Sequence, residues 1–166
     1  MSSVTQINMS IDGWTVEKAL KVGVTMETGA YNLYSETSRK VKDPGSKQLL
    51  KELAAEETKH RDYFEMALRE PEKVMNEAKG GDLKKVMDLH ISDPLKEAPL
   101  SLDASYQDTL IFAAKSEQTA VDFYMALSKA YSAHPLGKMW AEFAKMEQGH
   151  KLKIEKEYDD VVLADN

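Results

Sequence analysis

No cysteine occurs in the 166 residues, and this one absence removes disulfides, thiolate zinc sites, iron–sulfur clusters and thiol nucleophiles together. Any metal must then be held by oxygen and imidazole. Helix breakers are scarce, with 5 prolines and 8 glycines, and three of the prolines and the Gly80–Gly81 pair fall between residues 71 and 102. No stretch approaches the roughly 18 apolar residues of a membrane span, and residues 1–12 lack the basic start and apolar run of a secretion signal. A cytoplasmic protein with no membrane partner is expected. Positive charge is also in deficit: 22 Lys and Arg stand against 28 Asp and Glu, a net charge of -6. No basic run is interleaved with aromatics, so nucleic acid is not an expected partner.

What remains is a soluble composition, 42% hydrophobic and 30% charged, in a chain long enough to bury one core without cross-links. Val16, Leu20, Val24, Tyr31 and Tyr34 recur at helical spacing, which predicts a first helix over about 14–41 with Asp12 or Thr15 as its cap. The tight turn of residues 43–46, Asp-Pro-Gly-Ser, separates it from a second helix over about 46–69. Two short amphipathic pieces, residues 72–78 and 82–90, belong to a crossover over about 71–102. Helical spacing then resumes over about 104–133 and, past the break around Pro135, over about 135–158, before a polar tail. The expected fold is one all-α domain, an antiparallel four-helix bundle made of two helical hairpins and a long crossover.

The second hairpin repeats the first. Shifted by 90 residues without a gap, Leu20, Glu27, Ala30, Tyr34, Ser38, Glu52, Ala54, Glu57, His60 and Glu65 meet identical residues, from Leu110 to Glu155. Matched core leucines follow from burying equivalent helix faces. Matched glutamates and histidines in mid-helix need a different reason.

Each half carries one glutamate on its first helix, Glu27 or Glu117, and one Glu-x-x-His on its second, Glu57 with His60 or Glu147 with His150. Residues three apart lie one above the other on a helix, so each pair can aim a carboxylate and an imidazole at one point. At about 1.5 Å per residue, Glu27 lies roughly 24 Å from Asp43, and Glu57 and His60 roughly 17–21 Å beyond Ser46, so the hairpin sets all three at similar depth. Two copies make four carboxylates and two imidazoles, the ligand set of di-iron and di-manganese bundles. Four ionised carboxylates in a core of low dielectric require compensating charge, which two divalent cations supply.

A lone Glu-x-x-His is more often a solvated surface pair than a ligand set. Here two of the four histidines carry it, at the same offset, each with a glutamate 30 residues before the motif glutamate. Tyr34 and Tyr124 lie two turns beyond Glu27 and Glu117, where a phenol can hydrogen-bond a ligand carboxylate, donate an electron, or serve as a core residue satisfied elsewhere. His90 and His134 lack such partners and read as structural. The nine methionines, Trp14 and Trp140 read as packing.

Taken together, Glu27-x-x-Ala30-x-x-x-Tyr34, Glu57-x-x-His60, Glu117-x-x-Ala120-x-x-x-Tyr124 and Glu147-x-x-His150 resemble the rubrerythrin branch of the ferritin-like superfamily over about residues 14–160. The resemblance implies two iron ions bridged by Glu57 and Glu147, with Glu27, His60, Glu117 and His150 as terminal ligands. It implies a redox protein that reacts with H2O2 or O2, or that oxidises ferrous iron. Rubrerythrins commonly add a four-cysteine rubredoxin domain, absent here, so an external electron donor is expected. Manganese and zinc suit the same donors, which keeps a metal-sequestering protein in view. A purely structural bundle, with the six residues as a salt-bridge layer, is the third reading. A homodimer is expected, including one that exchanges hairpins through the crossover.

Overall fold

The computed structural model describes residues 16–70, 100–132 and 135–164. Of these, 89% are helical and none is in a strand. The four helices are α1 (Val16–Lys40), α2 (Pro44–Arg69), α3 (Tyr106–Ala130) and α4 (Pro135–Glu157). Most of the crossover, including both short amphipathic pieces, lies outside the described residues, as do Trp14, His90, His134 and the expected caps Asp12 and Thr15.

Two helix starts are set by side chains. Asp43 is extended and its carboxylate accepts from the Ser46 amide at 2.8 Å, while Pro44 occupies the first turn, where its missing N–H costs nothing. The expected four-residue turn is therefore shorter, because Pro44 and Gly45 already belong to α2 and only residues 41–43 link it to α1. Ser105 caps α3 by accepting from the Asp108 amide at 3.0 Å. Its position at the cap makes α3 begin at Tyr106, later than the expected 104. The polar tail also differs from expectation: α4 runs directly into a π-helical segment, Tyr158–Leu163.

Each hairpin packs closely along its length, whereas α1 and α3 meet over few residues. Two cores result. One, around the α1 start and the α3–α4 connection, is aromatic: Phe64, Phe123, Tyr124, Tyr131, Trp140 and Phe143. Gly23 permits this packing, since a Cβ there would lie 2.9 Å from the Phe64 ring. The other core, around the α1–α2 turn, is aliphatic, with Leu50, Leu53, Leu110 and Ile154 beside Tyr34. At that end Glu157 joins the hairpins, accepting from Ser46 and from the Tyr106 hydroxyl at 2.7 Å. Met125 and Met146 depart from the packing expectation, each 39% exposed.

Candidate metal centre

Between the two cores lies a polar layer to which all four helices contribute. Glu27 comes from α1, Glu57 and His60 from α2, Glu117 from α3, and Glu147 and His150 from α4. All six are between 0% and 5% exposed. Each Glu-x-x-His presents both side chains to one side of its helix, as its spacing requires, and the hairpins bring the two halves face to face. The imidazoles stack at 5.6 Å, 12° from parallel.

The carboxylates divide into two kinds. Glu57 places Oε1 2.8 Å from His150 Nδ1 and Oε2 3.4 Å from His60 Nδ1. Glu147 does the converse, with Oε1 2.7 Å from His60 Nδ1 and Oε2 3.1 Å from His150 Nδ1. Glu27 faces only His60, at 3.5 Å, and Glu117 only His150, at 3.8 Å. Donor atoms of Glu27, Glu57, His60 and Glu147 lie within 4.8 Å of one another, and so do those of Glu57, Glu117, Glu147 and His150. The two groups share Glu57 and Glu147.

Whether these residues fit a metal can be judged from their hydrogen bonds. Glu57 Oε2, His60 Nδ1 and Glu147 Oε1 are buried without a hydrogen-bond partner. For His60 Nδ1 and Glu147 Oε1 this holds despite their 2.7 Å separation. A buried polar atom left unpaired costs about 1–3 kcal/mol. Two ligands of one ion need no bond between themselves: with metal–ligand bonds of about 2.1 Å, adjacent donors sit roughly 3.0–3.4 Å apart. Most of the separations above fall close to that span, so the donor set fits divalent metal ions.

Without metal, protons balance the charge. Burial pushes the Glu57 and Glu117 carboxyls well above their ordinary range. Burial opposes ionisation of Glu147 too, but the nearby imidazoles of His150 and His60 outweigh this and bring it down to about 2. Burial likewise opposes a charge on His60, yet Glu147, Glu27 and Glu57 together raise its imidazole to about 11; His150 is raised as well, chiefly by Glu147 against the same burial.

Both tyrosines contact the cluster, in a way the spacing did not convey. The Tyr34 hydroxyl donates to Glu117 Oε1 and the Tyr124 hydroxyl to Glu27 Oε1. Each phenol thus reaches across to the glutamate of the other hairpin and not to the one two turns away on its own helix. Burial holds both phenols well above their ordinary pKa, so both stay donors.

The rubrerythrin family model matches residues 18–92, which span both helices of the first hairpin with Glu27, Glu57 and His60. With the bundle and its Glu/His cluster, that match supports a rubrerythrin-like member of the ferritin-like bundles. The second hairpin lies beyond the matched segment and enters through the repeat. No curated protein and no solved structure matched the chain. Among the described residues of this rubrerythrin-like chain, no helix is long and apolar enough to cross a membrane.

One feature of the layer went unread in the sequence. A cavity of about 400 Å³ opens between α1 and α3 and ends on Glu27, Glu57, Glu117 and Glu147. It exists because Gly29 and Ala30 follow Glu27, and Thr119 and Ala120 follow Glu117, leaving little side chain between the helices. The matched Ala30 and Ala120 were its only trace.

Proposed function

We propose that this protein is a di-iron carboxylate oxidoreductase that reduces H2O2 or O2 at the six-residue cluster. The observation that carries this reading is the pairing of oxygens: Glu57 and Glu147 each turn one oxygen toward each imidazole, so two four-residue groups share two carboxylates. Glu57 and Glu147 would be shared by the two ions, and Glu27 with His60 and Glu117 with His150 would each serve one of them. Iron held there would supply one electron per ion through its ferrous–ferric couple.

The rest is the work of the chain. Four carboxylates neutralise two divalent ions, and hard oxygen donors favour iron or manganese. Tyr34 and Tyr124 each hold one oxygen of Glu117 and Glu27, which fixes the orientation of each carboxylate; on Glu27 the other oxygen is the one that faces His60. The aromatic and aliphatic cores close both ends of the layer to water, so small oxidants enter from the α1–α3 side. An external reductant restores the ferrous state.

Anaerobic titration of metal-free protein with Fe(II), followed by stopped-flow mixing with H2O2 or O2, tests this. We expect saturation at two irons per chain and a fast near-ultraviolet absorbance change, both lost in Glu57→Ala and Glu147→Ala. The faster oxidant identifies the substrate. Failure to bind iron sinks the proposal, and tight zinc binding without turnover would make the protein a metal-sequestering one.

A further inference from the structure

The α1–α3 cavity is much larger than the oxidants named above require. A molecule of liquid water occupies about 30 Å³, so 400 Å³ holds roughly thirteen such volumes, and H2O2 needs roughly two. Sites for small organic molecules run from about 300 to 1,000 Å³ and are mostly apolar, with a few polar groups at one place. This cavity has that form: Met26, Leu33 and Phe112 supply apolar wall, Thr25, Ser116 and Thr119 add hydroxyls, and the four glutamates converge at its floor. Among the described residues no lysine or arginine lines it, so an anionic ligand finds no counter-charge there.

We propose that the cavity is the substrate subsite of the centre and takes the hydrocarbon body of a neutral organic hydroperoxide, with the O–O group at the carboxylate floor. The inference rests on the di-iron reading above and names its substrate class. In the reaction the O–O bond of ROOH breaks to give ROH and water, with two electrons from the ferrous pair and two protons from solvent. An external reductant then returns the two electrons. The alcohol product keeps the body that the walls recognise.

Cumyl alcohol, the product of cumene hydroperoxide, is the binding probe because it is redox-inert. It is titrated calorimetrically into anaerobic Fe(II)-loaded protein, with iron stoichiometry measured on the same samples. Gly29→Leu places a side chain at the mouth, where an added Cβ meets nothing within 4 Å, and Ala30→Leu fills the wall. We expect saturable binding of one alcohol per chain, weakened about tenfold or more in both variants, with two irons bound throughout. The ratio of cumene hydroperoxide to H2O2 consumption falls in parallel. Absence of saturable binding, or equal binding in wild type and both variants, overturns the subsite. Loss of iron binding instead strikes the di-iron reading, and the alcohol titration repeated on metal-free protein still decides the cavity.

Discussion

Glu57 belongs to both four-residue groups and Glu117 to only one, so neutralising them should have unequal effects. Glu117→Gln leaves Glu27, Glu57, His60 and Glu147 intact and reduces only the other group to three ligands; Glu57→Gln reduces both. Glutamine keeps the volume and can still accept from Tyr34, so packing is preserved. Loss of even an outer partner of a metal site costs about 10–100-fold in affinity, and a hundredfold loss is a cautious value for a charged ligand. At free metal 100 times Kd, each site adds about 2.7 kcal/mol, and after a hundredfold loss about 0.4 kcal/mol. For a chain of this size 1 kcal/mol moves Tm by about 2–4 °C. Metal therefore raises the wild-type Tm by roughly 11–22 °C, that of Glu117→Gln by somewhat over half as much, and that of Glu57→Gln by roughly 2–3 °C. Anaerobic Fe(II) titration with circular-dichroism melts on the same samples measures both quantities. Equal stoichiometry and equal melting shifts in the two variants would refute the sharing of Glu57.

The metal-free protein should melt lower as pH rises from 6 to 9, because the raised His60 pKa stabilises fully below the unfolded value near 6.5 and loses that contribution on the way to about 11. Over pH 6 to 8 its affinity for Co(II) should climb instead, since metal displaces protons from both imidazoles; a pH-indicator titration counts the protons released. Ser105→Ala removes the acceptor for the Asp108 amide and should cost about 1 kcal/mol, read as a lower midpoint in urea. Two glycines should respond in opposite directions to alanine. At Gly137 a Cβ would stand 2.2 Å from the Tyr131 carbonyl oxygen, a clash costing about 3 kcal/mol, whereas at Gly29 it meets open space and gains up to about 1 kcal/mol of helix propensity; thermal melts separate the two.

The bundle was legible because its helices are long and strongly periodic; helix starts differed where a cap overrode periodicity, as at Asp43 and Ser105, and α3 stops at Ala130, three residues before the expected end. The clustering of the six residues was legible for a different reason. Mid-helix glutamates and histidines have no packing reason to recur at a fixed offset, so Glu27 with Glu117 and His60 with His150 pointed to each other. Periodicity carries no information about which helix lies across from which, however. The crossing of the Tyr34 and Tyr124 bonds to the opposite hairpin therefore stayed hidden. The cavity stayed hidden because glycine and alanine act through what they leave out. The π-helical Tyr158–Leu163 has no signal in its composition that we can identify.

The repeat is strict where the ligands are and loose elsewhere. Trp140 and Phe143 stand where the first hairpin has Leu50 and Leu53, and Phe64 where the second has Ile154. His60 consequently meets the Phe143 ring edge-on at 5.2 Å, a contact for which the second half has no aromatic counterpart. Cores of equal volume can be built from many apolar combinations at little cost, so the two halves could diverge there without losing the fold. The six polar residues have the opposite economy. Replacing a buried ionic cluster with apolar side chains is often neutral or stabilising by about 1–4 kcal/mol, so stability alone gives no reason to hold four carboxylates and two imidazoles in register across both hairpins. Their identity between halves, in a bundle otherwise free to differ, is accounted for by a pair of ions that each require the same set of donors.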